Sequence, residues 1–552
     1  MADVDGATLV ARALKQHGVE YMFGIVGVPV VPIAFAAQRE GIKYIGMRHE
    51  QSASYAAQAV GYLTGRPGAC LAVSGPGMTN AISGLANAWS NRWPMILLGG
   101  SSDIAQHGMG AFQEAPQVEA ARPWCKLSAE ADRIERIPYY VEQAVRTSIY
   151  GRPGPVYLDL PGDIISGKCD EDEAARWQRP RVADAPRPLA DPDAVRAALA
   201  ALKSAERPLV VVGKGTAYAG AATEVREFIE ATQLPFLASP MGKGVMPDDH
   251  ALSTAPARSH VLQNADLVFL MGARLNWIMH FGLPPRFNPD VRVLQMDIAA
   301  EEIGTNVPAE VALVGDARAV TAQLNAALRE QPWQFAAENT WRTGIAKKIE
   351  ENRASTQAML DDDATPMGYY RALRDIRDVL PRDAIICSEG ASTMDIGRTV
   401  LPNFEPKHRL DAGSFGTMGV GLAFAIAAQA VYPGKRVVAV EGDSAFGFSG
   451  MEVEVACRYA MPITFIILNN NGIGGGPSTL DPNRVFPTAY VPNARYEKVI
   501  EAFGGDGYFV ETPDQLRPAL EAALSSNRPN VVNIMISAQS RRKPQQFEWL
   551  TR

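Results

Sequence analysis

Two short stretches of this chain are well suited to hold a charged ligand, Gly442-Asp443-Ser444 and Asn469-Asn470-Asn471. Each ends an apolar run, 437–440 and 463–468, and both runs read as buried parallel strands. Gly447, Phe448, Ser449 and Gly450 lead into a helix-like stretch, 451–459. The order strand, Gly-rich turn, helix, strand, Asn-rich turn puts both turns at the carboxyl ends of neighbouring strands, where open α/β sheets bind ligands. The carboxylate of Asp443 and the amide oxygen of Asn470 are hard donors that suit Mg²⁺. That ion takes few protein ligands and fills its octahedron with phosphate oxygens and water. The backbone carbonyl of Gly472 offers a third ligand. Gly442, Ser444 and Ala445, with Gly390, Ala391 and Ser392 after the strand 384–387, stand at strand ends. Taken singly, Gly-Asp-Ser also serves as a helix cap and Asn-Gly as a turn. The second stretch after the next strand favours the ligand reading.

Further sets of residues carry chemistry. Arg48-His49-Glu50-Gln51 follows the strand-like 44–47. A carboxyl group in a cleft can hydrogen-bond a heteroaromatic nitrogen and promote a proton transfer, whereas a lone Glu at a helix start is usually a surface residue favoured by the helix dipole. Ser74-Gly75-Pro76-Gly77-Met78-Thr79-Asn80 follows 71–73. Its small residues let a ring approach the backbone, and no Walker lysine follows. In Gly413–Gly421 the bulky Met418 stands among glycines, beside the Gly416 carbonyl. Gly213-Lys214-Gly215, Gly272-Ala273-Arg274, Gln295-Met296-Asp297-Ile298 and Gly315-Asp316 each follow a strand. Acids there suit ribose hydroxyls and Lys or Arg suits phosphate, with strand-end capping as the plain alternative.

The elements that position these groups fall into three α/β regions. The first, 1–170, has strands at 22–26, 69–73 and 95–98 and a helix at 7–17. The second, 190–340, has strands at 209–212, 267–271 and 293–296. The third, 366–538, carries the two stretches described first. The intervening 170–190 is charged and Pro-rich and reads as a linker; a second polar stretch, 345–365, ends in Asp361-Asp362-Asp363. This pattern predicts an α/β protein of three doubly wound parallel-sheet domains. A 552-residue chain with 47% hydrophobic and 20% charged residues accommodates them as an ordinary globular protein. A net charge of −7 argues against a nucleic-acid surface. Five cysteines with no CxxC pair argue against disulfides and zinc and fit a reducing cytoplasm. No signal peptide is visible at the acidic start, and no apolar run reaches the about 20 residues of a membrane span.

His-Glu-Gln at 49–51, Ser-Gly-Pro-Gly at 74–77, Gly-Thr-Met-Gly at 416–419 and the Gly-Asp-Ser…Asn-Asn pair occur in this order along the whole chain. The chain resembles the thiamine-diphosphate decarboxylase and acetolactate-synthase superfamily. Within it, Gly110–Glu114, Met394–Arg398, Arg409–Gly413 and Glu441–Glu452 resemble the 2-hydroxyacyl-CoA lyases, with oxalyl-CoA decarboxylase as the near cousin. That cousin carries Tyr-Glu where this chain has Phe112-Gln113. The resemblance implies pyrimidine-binding, central nucleotide- or CoA-binding and diphosphate-binding domains. It implies thiamine diphosphate and Mg²⁺, room for ADP in the central domain, an acyl-CoA substrate and a dimer of dimers.

The resemblance also implies roles. Glu50 activates the pyrimidine, Met418 wedges between the two cofactor rings and Gln113 meets the substrate oxygen. Asp443, Asn470 and Gly472 hold Mg²⁺; Gly390, Ala391, Ser392, Gly442, Ser444 and Ala445 meet the diphosphate, and Pro76, Asn80, Gly416 and Ile473 join the cofactor contacts. Lys214, Arg274, Asp297, Ile298, Asp316, Arg398, Arg541 and Arg542 serve nucleotide or CoA. Residues 539–552, with Phe547 and Trp549, would form a lid. The implied reaction cleaves a 2-hydroxyacyl-CoA into formyl-CoA and an aldehyde or ketone. The alternatives are oxalyl-CoA decarboxylation and a catalytically silent nucleotide-binding protein on the same fold.

Overall fold

The computed structural model describes residues 3–544. Its three large sheets are parallel throughout and each matches one of the three expected regions. The first runs, in spatial order, Lys43–Gly46, Tyr21–Gly24, Gly68–Ala72, Met95–Ser101, Pro155–Pro161, Ser128–Glu130. The third runs Arg409–Asp411, Ile385–Ser388, Val437–Gly442, Thr464–Asn469, Asn530–Met535, Asp506–Val510. Numbered along the chain, both orders are 2-1-3-4-6-5. The central sheet, Phe236–Ala238, Pro208–Val212, Leu267–Met271, Arg292–Asp297, Val311–Val314, has the order 2-1-3-4-5. Each sheet thus has a switch point beside its first strand, where crevices open at the carboxyl ends. The Ser74–Gly77 turn and Gly442-Asp443 follow the corresponding third strands of their sheets.

The strands are continuous apolar runs because helices cover both faces. Pro208–Val212, Leu267–Met271, Thr464–Asn469 and Asn530–Met535 are buried at every residue. A separate apolar core surrounds each sheet.

Two connecting stretches depart from expectation. The charged 170–190 segment contains the helix Glu171–Trp177, capped by Asp170, whose side chain accepts from the Asp172 N–H. The polar stretch after 345 lies in a 21-residue helix, Thr340–Leu360. Asn339 caps it by accepting from the Arg342 N–H at 2.8 Å. Only Trp341, Ile345 and Leu360 of that helix are buried, so no apolar stripe marks it in the sequence.

The chain forms two compact units. One comprises residues up to Pro186 with Phe415–Gly434 and Gly447–Ile463; the other comprises Arg187–Ser414, Lys435–Phe446 and the chain from Thr464. Within the first, helix Gly421–Val431 packs on helix Glu50–Thr64, and Trp93 stacks on Tyr62 at 4.7 Å and meets Phe424 at 5.4 Å.

Candidate active site

In the first unit, Glu50 is the first residue of helix Glu50–Thr64. His49 caps that helix, its Nδ1 accepting from the Gln51 N–H at 3.1 Å. The helix is buried from Ser52 to Leu63, which fixes the direction in which Glu50 projects. Asn80, on helix Pro76–Asn91, donates from Nδ2 to Glu50 Oε2 at 3.1 Å. A Cβ on Gly77 would meet Val73 Cγ2 at 2.5 Å and Glu50 Oε1 at 3.3 Å. Gly75 takes φ +55°, and a Cβ there would fall 2.5 Å from the Gln113 carbonyl oxygen. The turn and the Gln113 loop are therefore in contact, and only glycine fits between them. Gln113 itself lies at φ 57°. Pro76 begins the helix that carries Asn80.

Three supports of this half-site gave no sequence signal. Buried Gln117 accepts the Gly75 N–H at 2.6 Å and donates to Gly100 O and Asp159 Oδ2. Glu452 accepts the Arg48 N–H at 3.1 and 3.3 Å, two residues ahead of Glu50. Burial pushes the Glu452 carboxyl up to about 7, against the pull of backbone donors at Arg48 and His49 and the Ser52 hydroxyl. A buried chain of amides runs from Gln58 through Asn87 to Asn91, and the Thr417 hydroxyl donates to Asn87 Oδ1 at 3.1 Å. Thr417 adjoins Met418, which is half-buried, and Gly416, which lies at φ +69°. The latter two are the wedge and carbonyl of the expected site.

The second unit carries its own set of expected residues. Asp443 is 2% exposed and heads helix Asp443–Ser449, where a Gly-rich turn was expected before the helix. Its Oδ1 accepts the Ser444 N–H at 2.9 Å. Burial raises its carboxyl to about 6, although backbone N–H groups of Ser444, Gly472 and Asn471 favour the anion. A buried carboxylate in this state fits a cation, which would restore the ionised form. The donors suit Mg²⁺ rather than a softer metal. Among the described residues no three of His, Cys, Asp and Glu form a metal cluster.

The three asparagines divide their work. Asn469 Oδ1 accepts the Asn471 N–H, and Asn471 Oδ1 accepts the Asn493 N–H. Asn470, 3% exposed, donates to the Tyr369 hydroxyl at 3.0 Å. Tyr369 also takes part in hydrogen bonds with Ser392 and Thr393 and was not expected here. Gly390, at φ +89°, brings its α-carbon close to Gly442 and Ala445: a Cβ on it would lie 3.4 Å from Gly442 N and 3.6 Å from Ala445 Cβ. Ala391 begins the helix Ala391–Val400, with Ser392 next. Gly472 leaves no room for a side chain, since a Cβ would reach 2.2 Å from Thr488 O. Ile473 is exposed.

A second set of charges gathers in the same unit. Arg398 pairs with Asp395 and Asp411, and Arg542 pairs with Asp395 at 3.1 Å. Arg258 and Arg286, neither singled out by the sequence, join them. Burial lowers the Arg258 guanidinium to about 10, helped by the charges of Arg542, Arg286 and Arg398. Arg258 bonds Ile278 O at 2.7 Å and His280 Nε2 at 3.0 Å. Burial and the charges of Arg258, Arg286 and Arg542 hold His280 down at about 3. Arg541 bonds only nearby carbonyls among its described contacts, those of Ala538 and Ser540.

The other expected nucleotide residues occupy strand ends. Asp316 caps helix Ala317–Glu330 through the Ala319 N–H. Asp297 accepts the Ala299 N–H, ahead of half-buried Ile298. Arg274 donates to Ser414 Oγ at 3.1 Å, and Lys214 begins helix Lys214–Tyr218. Phe547 and Trp549 of the expected lid lie outside the described residues.

The chain matches the thiamine pyrophosphate enzyme N-terminal TPP binding domain over residues 4–120, the central domain over 195–324 and the C-terminal TPP binding domain over 389–534. It is 51% identical to 2-hydroxyacyl-CoA lyase 1 of Homo sapiens, over 100% of this chain and 97% of that protein. Against the 2-hydroxyacyl-CoA lyase of Arabidopsis thaliana it is 44% identical, over 97% and 96%. Oxalyl-CoA decarboxylase of Escherichia coli (strain K12) is 42% identical, over 96% and 95%. With both half-sites carried on domains of this kind, the chain belongs to the thiamine pyrophosphate enzymes, in the family that holds the 2-hydroxyacyl-CoA lyases and oxalyl-CoA decarboxylase.

Proposed function

We propose that this chain is a thiamine-diphosphate-dependent carbon–carbon lyase that splits a 2-hydroxyacyl-CoA into formyl-CoA and an aldehyde or ketone, reversibly. The observation that carries the CoA part is helix Ala391–Val400. Its first turn lies in the diphosphate half-site and its last turn presents Arg398, which shares Asp395 with Arg542 beside Arg258 and Arg286. Four guanidinium groups against two carboxylates suit the phosphates of CoA. One rigid helix thus spans the distance between a diphosphate and an acyl-CoA. Full-length similarity to proteins named 2-hydroxyacyl-CoA lyase supports the reaction.

When bound, the cofactor supplies a nucleophilic carbon and an electron sink. The residues of the chain do the rest. Glu50, held by Asn80, hydrogen-bonds the pyrimidine and stabilises the tautomer that can take up a proton. Met418 would pack against the two rings of the cofactor, and the Gly416 carbonyl would be available to its amino group. Asp443, Asn470 and the Gly472 carbonyl would hold Mg²⁺, whose charge would offset that of the diphosphate. Gln113 presents an amide to the substrate oxygen, and Phe112-Gln113 leaves the pocket without a second carboxylate. We place Lys214, Arg274, Asp297, Ile298 and Asp316 around a nucleotide, with ADP as the candidate, and Arg541 beside the CoA phosphates. The working form is a dimer of dimers in the cytoplasm; five cysteines with no CxxC pair fit a reducing compartment.

The test is a panel of acyl-CoA substrates with mass detection of products. Formyl-CoA with an aldehyde or ketone from 2-hydroxyacyl-CoA is the expected result. Carbon dioxide from oxalyl-CoA, with no cleavage of 2-hydroxyacyl-CoA, would replace this reading with a decarboxylase.

A further inference from the structure

The segment from Gly472 to Asn493 carries a hydroxyl that none of these roles uses. It folds back on the metal-ligand turn: Gly472 bridges Ala489 antiparallel, and the Ile473 N–H bonds Thr488 O at 2.9 Å. The Tyr490 N–H bonds Asn471 O at 3.0 Å, and the Asn493 N–H bonds Asn471 Oδ1 at 2.8 Å. Asn471 is buried and itself tied to Asn469. Tyr490 is therefore anchored at its backbone, next to the turn that supplies two of the proposed Mg²⁺ ligands. Its half-buried side chain reaches across to the next strand end, where its hydroxyl lies 3.1 Å from Ser444 Oγ. Ser444 is the second residue of the helix headed by Asp443, and its N–H already serves Asp443 Oδ1.

We propose that Tyr490 is a positioning residue for the cofactor that acts through Ser444: the phenol donates to Ser444 Oγ and turns the serine proton toward the diphosphate. This rests on the reading that diphosphate and cation bind at Asp443. A hydroxyl has one proton and two lone pairs. When Ser444 accepts from Tyr490, its single proton is left for another acceptor. A phosphate oxygen can only accept, so an anion selects this direction of the pair over the reverse. Hydrogen bonds in series strengthen one another, and one that ends on an anion is stronger than a neutral one. The same contact fastens the 472–493 segment to the half-site, so cofactor binding and closure of that segment favour each other.

The experiment measures the Kd of thiamine diphosphate at saturating Mg²⁺ by calorimetry, together with the Tm of each apo protein. The proteins are the full chain and Tyr490→Phe, Ser444→Ala, the double variant and Asp443→Ala. Tyr490→Phe keeps the ring, so its apo Tm should match the wild type. It should raise Kd roughly three- to tenfold, the range of one lost hydrogen bond. In the Ser444→Ala background the same change should add nothing, because the path through Ser444 is gone. An unchanged Kd in Tyr490→Phe overturns the proposal, as does an equal loss in both backgrounds. If Asp443→Ala binds as tightly as the wild type, the cofactor reading of this half-site falls as well. If Asp443→Ala loses binding while Tyr490→Phe does not, only the role of Tyr490 falls.

Discussion

Glu50 and Glu452 both serve the turn around residues 48–50 and work in opposite ways. Glu50 is half-buried and receives Asn80, and the role proposed for it is to hydrogen-bond the pyrimidine. Glu50→Gln should lower kcat about 10²–10⁴-fold, the usual worth of acid–base assistance. It should leave the Kd of thiamine diphosphate within about threefold, because affinity resides in the other unit; unchanged turnover would remove Glu50 from its role. Glu452 is buried and ties the Arg48 backbone in place. Its carboxyl titrates at about 7 in the fold, against an ordinary 4.5, chiefly through burial. The folded state thus binds the extra proton. The contribution of this group to stability is complete below about pH 4.5 and is lost as pH rises through 7. Glu452→Gln still accepts the Arg48 N–H and cannot ionise. The Tm difference between variant and wild type should move in favour of the variant from pH 5 to pH 8, by the equivalent of about 1–3 kcal/mol. An identical difference at both pH values would mean that Glu452 does not titrate there. Glu50, Asp443 and Asn470 stood out in the sequence because each sits in a short, characteristic stretch. Glu452, Tyr369 and Tyr490 were not, since their partners are remote in sequence: Arg48, Asn470 and Ser444.

At the scale of elements, sequence periodicity located most strands to within a residue or two, because parallel strands buried on both faces are unbroken apolar runs. Leu267–Met271 begins and ends at the residues expected of it. The strand order was not readable. That the first and third sheets share 2-1-3-4-6-5 depends on which strands pair across long crossovers. Helix Thr340–Leu360 escaped notice because it buries three residues and leaves most of its surface polar. A buried amide junction also spans elements. Asn87, on helix Pro76–Asn91, donates to Gln58 on helix Glu50–Thr64 and accepts from Asn91 and Thr417. Asn87→Ala would leave three polar groups without this partner, each costing about 1–3 kcal/mol when buried. The Tm should fall by about 5 °C or more. Thr417→Val removes one of those bonds; it should lower Tm much less yet still weaken thiamine diphosphate binding, since it frees the backbone next to Met418. If both variants bind the cofactor like the wild type, the amide chain serves packing alone.

At the scale of the whole molecule, the first unit exposes Val28, Phe35, Met109 and Phe112, at 70, 59, 76 and 74%. We propose that a second copy of the chain covers them. Glu50 belongs to one compact unit and Asp443 to the other. If active sites form between copies, each needs Glu50 from one chain and Asp443 from its mate. This has a consequence that single variants cannot reveal. Glu50→Gln and Asp443→Ala should each be inactive alone. Coexpressed at equal levels they assort at random, and half of the dimers carry one chain of each kind. In such a dimer one site receives both lesions and the other receives neither. The mixture should therefore recover roughly a quarter of the wild-type kcat, as symmetric pairing of two chains requires. If each site were completed within one chain, every site in the mixture would carry one lesion and the activity would stay at the level of the single variants. Purification through two different tags, one per variant, selects the mixed dimers; their kcat per chain should then rise to about half that of the wild type.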